Sequence, residues 1–160
     1  MKTLFIALRS LVFMTAFLYL WTWVALGVRS WDAALGMVLP PWVRGLGVGL
    51  LGAGALLALT CVGCFVVRGQ GTPAPFDAPR EFVAVGPYRR VRNPMYLGGL
   101  MLLLGLGCYL RSGAIVVFAG AWVLLAHLFV IGYEEPALRR RFGAAYEAYC
   151  RNVRRWIPRR

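Results

Sequence analysis

Residues 95–133 read MYLGGLMLLLGLGCYL, then RS, then GAIVVFAGAWVLLAHLFVIGY. The first apolar run, Met95–Leu110, would extend about 24 Å as a helix, and the second, Gly113–Tyr133, is long enough to cross roughly 30 Å of hydrocarbon. Because the first run is short, we expect it to span only with its polar end recessed into the membrane. The stretch therefore predicts a tight antiparallel hairpin of two membrane helices, turning at Arg111 and Ser112.

Two more stretches without charged residues precede the hairpin, Ser10–Val28 and Gly45–Val67. The chain of 160 residues is 60% hydrophobic and yet carries a net charge of +12, a combination that excludes an ordinary soluble domain. We predict an all-α membrane protein with about four transmembrane helices and a C-terminal amphipathic helix at the interface. Nucleic-acid binding would need a basic face on a soluble domain, so we expect no nucleic-acid partner.

The positive charges indicate the orientation. Lys2 and Arg9 precede the first span, five arginines lie between spans two and three, and eight follow span four. The positive-inside rule then places both termini in the cytoplasm, as expected of a multi-pass protein of a bacterial inner membrane. The alternative is a cleaved signal peptide ending at Ala25-Leu26-Gly27, but the run is long for that role and contains interfacial tryptophans.

The segment after span four predicts a new helix that begins at Pro136 and is capped by Glu135. Its apolar residues recur at intervals of three and four and form one stripe, with arginines on the other face. The stripe consists of Leu138, Phe142, Ala145, Tyr146, Tyr149 and Val153. We expect this helix to lie along the cytoplasmic interface.

Polar segments bracket the hairpin: Gly86–Gly98 before it and Glu134-Glu135-Pro136 after it. Counting outward equally from the turn sets Gly98 level with His127, and sets Arg92 and Asn93 near the glutamates. The glycine would leave room for the imidazole or for a ligand. The two segments are therefore predicted to meet at one membrane face.

Each of these residues also has a purely structural interpretation. Asn93 before Pro94 is a good helix cap, and His127 could be a neutral histidine bonded to a neighbouring helix. Glu134 and Glu135 raise each other's pKa unless cations meet them. Those cations could be nearby arginines in a salt network, or a cationic ligand, and the sequence leaves both open.

The ordered motifs resemble the isoprenylcysteine carboxyl methyltransferase and phospholipid methyltransferase superfamily of membrane enzymes. They are Gly86–Arg89, Arg92–Gly98 and Glu134–Pro136, followed by a tail containing Arg155 and Trp156. The resemblance covers about residues 69–159. Asn93 is similar to the phosphatidylethanolamine methyltransferase branch, whereas the arginine-rich tail looks like bacterial proteins grouped with the prenylcysteine enzymes, so the acceptor class stays open.

The resemblance implies S-adenosylmethionine as methyl donor, S-adenosylhomocysteine as product and no metal. The composition indicates a two-span scaffold over residues 1–68, and the resemblance implies a cofactor-binding, catalytic region over residues 69–160. The implied cofactor-binding residues are Tyr88, Arg92, Asn93, Pro94, Tyr96, Gly98, Glu134 and Glu135. Arg139 and Arg141 could orient a carboxylate acceptor, whereas a neutral amine would need a proton acceptor such as His127 or a glutamate.

These observations favour methyl transfer to a lipid-like or prenylated acceptor that reaches the site from the lipid bilayer, by carboxylate O-methylation or amine N-methylation. The alternative is a non-catalytic four-span protein whose glutamates and arginines form a structural interface network.

Overall fold

The computed structural model describes residues 2–69 and 82–158, and within them every regular element is a helix. The six α-helices are α1 Lys2–Val28, α2 Trp31–Leu35, α3 Val43–Cys64, α4 Pro94–Leu110, α5 Gly113–Phe129 and α6 Glu135–Asn152. Single π-helical turns follow α3 at Phe65–Gly69 and α5 at Val130–Glu134, and a 3-10 turn covers Gly86–Arg89. The glycine and proline content of Gly69–Pro79 predicts a cytoplasmic loop, which beyond Gly69 lies outside the described residues.

Three helical segments are long and apolar enough to cross a membrane: Ala7–Val28, Val43–Arg68 and the segment beginning at Gly113. The fourth apolar helix, α4, has 17 residues and extends about 25 Å. The prediction of an all-α membrane protein is confirmed, and the third apolar helix is short, as expected.

Helices α3 and α4 pack backbone against backbone. A methyl group on Gly54 would lie 2.8 Å from the carbonyl oxygen of Gly98, and one on Gly105 would lie 2.8 Å from the amide nitrogen of Leu51. No side chain other than hydrogen fits at these crossings, so the glycines are what allow the two helices to touch.

The glycine face that makes this contact is not the most regular one in the sequence. Gly45, Gly49 and Ala53 repeat every four residues, a pattern that predicts the close approach of another helix. All three are exposed, and a methyl group on Gly45 or Gly49 would meet nothing within 4 Å. Gly47 and Gly54, seven residues apart, are the buried pair. The spacing of small residues thus predicts close packing correctly but selects the wrong side of α3.

The turn between α4 and α5 forms where expected. Arg111 adopts a left-handed conformation with φ of 59°, and the Ser112 hydroxyl accepts a hydrogen bond from the amide of Ile115 at 3.1 Å. Asp32, in α2, accepts a second bond from the amide of Ala114 at 2.9 Å. The start of α5 is therefore capped both from within and from a distant segment.

The end of span four differs from the prediction. The helix does not stop at Glu134, because the π-helical turn carries α5 directly into α6, and both glutamates have helical backbone angles. Glu135 therefore does not cap a new helix. The interruption comes later, at Gly143, where φ of 49° and ψ of −126° lie in a region that favours glycine.

The main apolar core joins α1 to the hairpin. Trp21 of α1 contacts Trp122 of α5 edge to face, with ring centres 6.0 Å apart. The buried residues of this core are Ala25, Leu103, Ile115, Ala119, Trp122 and Ala126.

Candidate functional site

Residues 153–157, which follow α6, cross the start of α4 and are called here the C-terminal strap. The amide of Arg92 donates to the carbonyl of Arg154 at 2.9 Å, and the amide of Asn93 donates to the carbonyl of Arg155 at 3.2 Å. The Asn93 side chain donates to the same carbonyl at 3.3 Å and caps no helix amide. Asn93 thus stands at the cap position, but its buried side chain holds the strap.

Tyr96 and Glu134 join the two helices of the hairpin at its polar end. The Tyr96 hydroxyl donates to Oε2 of Glu134 at 2.8 Å. Glu134 has no cationic partner among residues 2–69 and 82–158. Its carboxylate is therefore met by a neutral phenol.

Glu135 has the opposite environment. It is buried, with 2% of its side chain exposed, and three arginines meet it. Arg92 Nη1 lies 3.0 Å from Oε1, Arg155 donates from Nε at 2.6 Å and Nη2 at 3.0 Å, and Arg139 Nη2 lies 3.3 Å from Oε2. The charge of Glu135 is thus fully compensated inside the protein.

These environments move the two pKa values apart. Both residues follow the charge-free stretch that ends at Tyr133 and so lie beyond the membrane-spanning part of the helix. Desolvation, together with the nearby Glu135 charge, raises the pKa of Glu134, although the bond from Tyr96 opposes the shift. Desolvation would also raise the pKa of Glu135, but the bond from Arg155 and the charges of Arg92, Arg155 and Arg139 outweigh it and lower that pKa.

His127 contacts the strap. The indole N–H of Trp156 donates to Nδ1 of His127 at 2.9 Å, and the same indole lies 6.3 Å from the ring centre of Tyr96. With Nδ1 accepting, a neutral imidazole carries its proton on Nε2. His127, Trp156 and Tyr96 therefore form a continuous row that ends at Glu134.

Two predicted cofactor residues face away from this cluster. Gly98 was expected opposite His127, but it packs against α3, where a methyl group would lie 3.1 Å from the Gly54 carbonyl oxygen. It is needed for the crossing of α3 and α4, so it leaves no space beside the imidazole. The Tyr88 ring is buried against Phe65, with centres 5.4 Å apart.

The two arginines predicted to orient an acceptor differ from each other. Arg139 contacts Glu135 and also donates from Nε to Glu147 at 2.9 Å, so its guanidinium already serves two carboxylates. Arg141 is exposed, and its guanidinium lies 5.7 Å from the ring centre of Phe142. Neither arginine therefore places a guanidinium without another contact beside Glu134.

Two residues at the site were missing from the predicted set, Arg155 and Trp156. Both lie on the C-terminal strap, about twenty residues after Glu135, and reach the site because the chain turns back at Gly143. The available signal was the arginine-tryptophan pair in the tail that resembles bacterial methyltransferases.

One buried donor at the site lacks a partner. Arg92 directs Nη1 to Glu135 and to Cys150, whose sulfur lies 2.9 Å away. Its Nε atom is buried without an acceptor among the described residues. A buried guanidinium N–H without a partner is costly, so this atom is a candidate contact for an anionic group.

Comparison with known proteins gave one family. The phospholipid methyltransferase model matches residues 42–145, which include the hairpin, both glutamates and the first half of α6, but neither α1 nor the C-terminal strap. No curated protein and no solved structure matches the chain.

Proposed function

The chain belongs to the phospholipid methyltransferase family, and on this basis we propose that it transfers a methyl group from S-adenosylmethionine to a lipid-like acceptor in the membrane. When bound, this donor supplies a methyl group already activated on a sulfonium. The protein then has to bind the donor, align the acceptor and exclude water.

The main support for the proposal is that the two glutamate carboxylates have different environments. The salt network predicted as a structural alternative accounts for Glu135, whose charge three arginines compensate. It does not account for Glu134, a half-buried carboxyl that accepts a hydrogen bond from the Tyr96 phenol and whose pKa is raised by desolvation. A carboxylate kept in this state is suited to a cationic ligand.

The donor offers groups that match this set. Its α-amino group would be accepted by Glu134, and its carboxylate would be met by the unpartnered Nε of Arg92 and by amides at the start of α4, after Pro94. Tyr96 would form a wall of the pocket. Asn93, Gly98 and Glu135 support the site by holding the strap, the helix crossing and the arginines, respectively.

The arrangement favours an amine acceptor over a carboxylate. Arg139 is occupied by two glutamates, so no described cation beside Glu134 is free to hold a carboxylate substrate. Methylation of a neutral amine instead releases a proton, which the Glu134 carboxylate is able to accept. The His127 imidazole could accept it only after Nδ1 releases the indole N–H of Trp156, because that hydrogen bond occupies its lone pair.

We further propose that this end of the hairpin faces the cytoplasm of a bacterium. The support is the distribution of Lys2, Arg9 and the thirteen later arginines around the spans, which the positive-inside rule assigns to that side.

Binding of S-adenosylhomocysteine by the purified protein tests the proposal. Glu134→Gln removes a charge-assisted contact, so we expect roughly 10- to 100-fold weaker binding in isothermal titration calorimetry. Glu147→Gln is the matched control, because Glu147 is an exposed glutamate of α6 that contacts Arg139, and we expect its affinity to be unchanged. Absence of binding to the wild type at millimolar ligand would refute the enzymatic function.

A second measurement identifies the acceptor. Membranes containing the protein are incubated with methyl-labelled donor, and the label is followed into the lipid extract, protein esters and small molecules. We expect base-stable label in an amine-containing lipid; base-labile label would indicate a methyl ester and contradict the amine preference.

A further inference from the structure

A partly open apolar cavity of about 200 Å³ lies between the helices, and none of its lining residues belongs to the cluster around Glu134. Four helices line it. Phe17, Leu18 and Trp21 come from α1, Leu51 from α3, Gly99 and Leu106 from α4, and Trp122 from α5.

Aromatic side chains form the wall of the cavity towards the hairpin. A methyl group on Gly99 would lie 2.9 Å from the edge of the Trp122 indole, so this glycine and this tryptophan are already in contact. Trp21 of α1 packs edge-on against Trp122, with ring centres 6.0 Å apart. The two tryptophans and Gly99 therefore define this side of the cavity.

The cavity adjoins the proposed active site. Along α4 it runs from Gly99 to Leu106, which is about 10 Å of helix at 1.5 Å per residue. At its near end Trp122 also contacts Tyr96, with ring centres 6.2 Å apart, and Tyr96 donates to Glu134. An apolar chain in the cavity would therefore bring its polar head towards the glutamate.

We propose that this cavity binds the apolar chain of the lipid acceptor and that α1 selects the shape of that chain. The inference rests on the proposed function. The lining is almost wholly apolar and lies at the depth of the charge-free spans, where lipid chains are the available ligands. The family match begins at residue 42, so the selecting side chains of α1 lie outside the matched residues. The first span then has a role in recognition beyond the scaffold role predicted for residues 1–68.

Photolabelling tests the cavity directly. The protein is reconstituted into phosphatidylcholine vesicles with a trace of a phospholipid that carries a diazirine midway along one acyl chain, and adducts are mapped by mass spectrometry. We expect adducts on Leu102 and Leu106 of α4, which line the cavity. In Leu18→Trp, which fills the cavity from α1, their yield should fall roughly tenfold, equivalent to about 1.4 kcal/mol.

The matched control is Leu20→Trp, the same substitution two residues along α1 at an exposed position outside the cavity. It should leave the adducts on Leu102 and Leu106 unchanged. Label on Leu124, which is exposed on α5, should persist in both variants. If Leu18→Trp does not reduce the α4 adducts, or if α4 is never labelled while Leu124 is, the chain site is wrong.

Donor-analogue binding separates this inference from the proposed function. Both variants should bind S-adenosylhomocysteine as the wild type does, which also shows that they fold, while methyl transfer to lipid should fall only in Leu18→Trp. If the wild type binds no S-adenosylhomocysteine, the proposed function fails, whereas the labelling pattern still decides whether the cavity takes a chain. If the analogue binds but the labelling pattern is absent, only the chain site fails.

Discussion

At the scale of residues, two adjacent glutamates with the same chemistry occupy opposite environments. Glu135 points into a group of arginines and Glu134 towards the phenol of Tyr96, because successive residues of a helix project in different directions. Replacement of Glu135 by glutamine should therefore mainly lower stability, whereas replacement of Glu134 should mainly weaken ligand binding.

Glu135→Gln should destabilise the protein. Without the carboxylate, the buried guanidinium of Arg92 loses its counter-charge, and the strap loses the pair with Arg155. Breaking a buried ion pair costs about 3–5 kcal/mol, and we expect the lower end because Arg139 and Arg155 are partly exposed. Denaturant unfolding in detergent measures the change, and a loss no greater than that of the exposed Glu147→Gln would contradict it.

Binding of S-adenosylhomocysteine should strengthen as the pH rises from acidic to neutral. The folded protein raises the pKa of Glu134, so its carboxylate, the form that attracts an amino group, appears only above the ordinary range of a glutamate. Titration calorimetry across that range should show the step in the wild type and not in Glu134→Gln. Tyr96→Phe removes the hydrogen bond that favours the Glu134 anion, so in this variant the rise in affinity should occur at higher pH. A rise at the same pH as in the wild type would show that Glu134 does not control the pH dependence of binding.

At the scale of elements, the site depends on the continuous helix formed by α5 and α6, which changes direction at Gly143. The π-helical turn carries α5 past the glutamates, and Gly143 then redirects the chain so that the strap returns to α4. The strap supplies Arg155 and Trp156, so the backbone at Gly143 determines part of the site's chemistry.

Gly143→Ala should weaken the fold through its backbone alone. A methyl group there meets nothing within 4 Å, but φ of 49° is strained for any other residue, at a cost of about 1–3 kcal/mol. Gly120→Ala in α5 is the control, since it also meets nothing within 4 Å and has an ordinary helical backbone. Thermal unfolding should separate the two variants, and equal midpoints would contradict the role of Gly143.

Gly54→Ala should push α3 away from α4. Its methyl group would lie 2.8 Å from the Gly98 carbonyl, a backbone atom that cannot move aside, so we expect an overpacking cost of about 1–3 kcal/mol. Gly49→Ala, five residues earlier on the exposed face of the same helix, should be nearly neutral. Equal unfolding midpoints for these two variants would show that the helices do not cross on Gly54.

At the scale of the whole molecule, charge and length were sufficient to predict the spans, and counting from the turn at Ser112 was sufficient to bring Arg92 to the glutamates. Rotation about a helix axis was not predictable. In an apolar span every face is compatible with lipid, so nothing in the pattern distinguished exposed Gly49 from buried Gly54. The approach of Arg155 to Glu135 depends on a turn at Gly143 that no local pattern marked.

The orientation of the molecule gives the last prediction. A protein with this charge distribution should expose the loop after α1 outside the cell and the end of α6 inside it. With the native cysteines replaced, Ser30→Cys should react with a membrane-impermeant maleimide in intact cells. Asn152→Cys, at a similarly exposed helix end, should react only after permeabilisation. The reverse pattern, or equal reaction of both, would place the glutamates on the wrong side of the membrane for a cytoplasmic methyl donor.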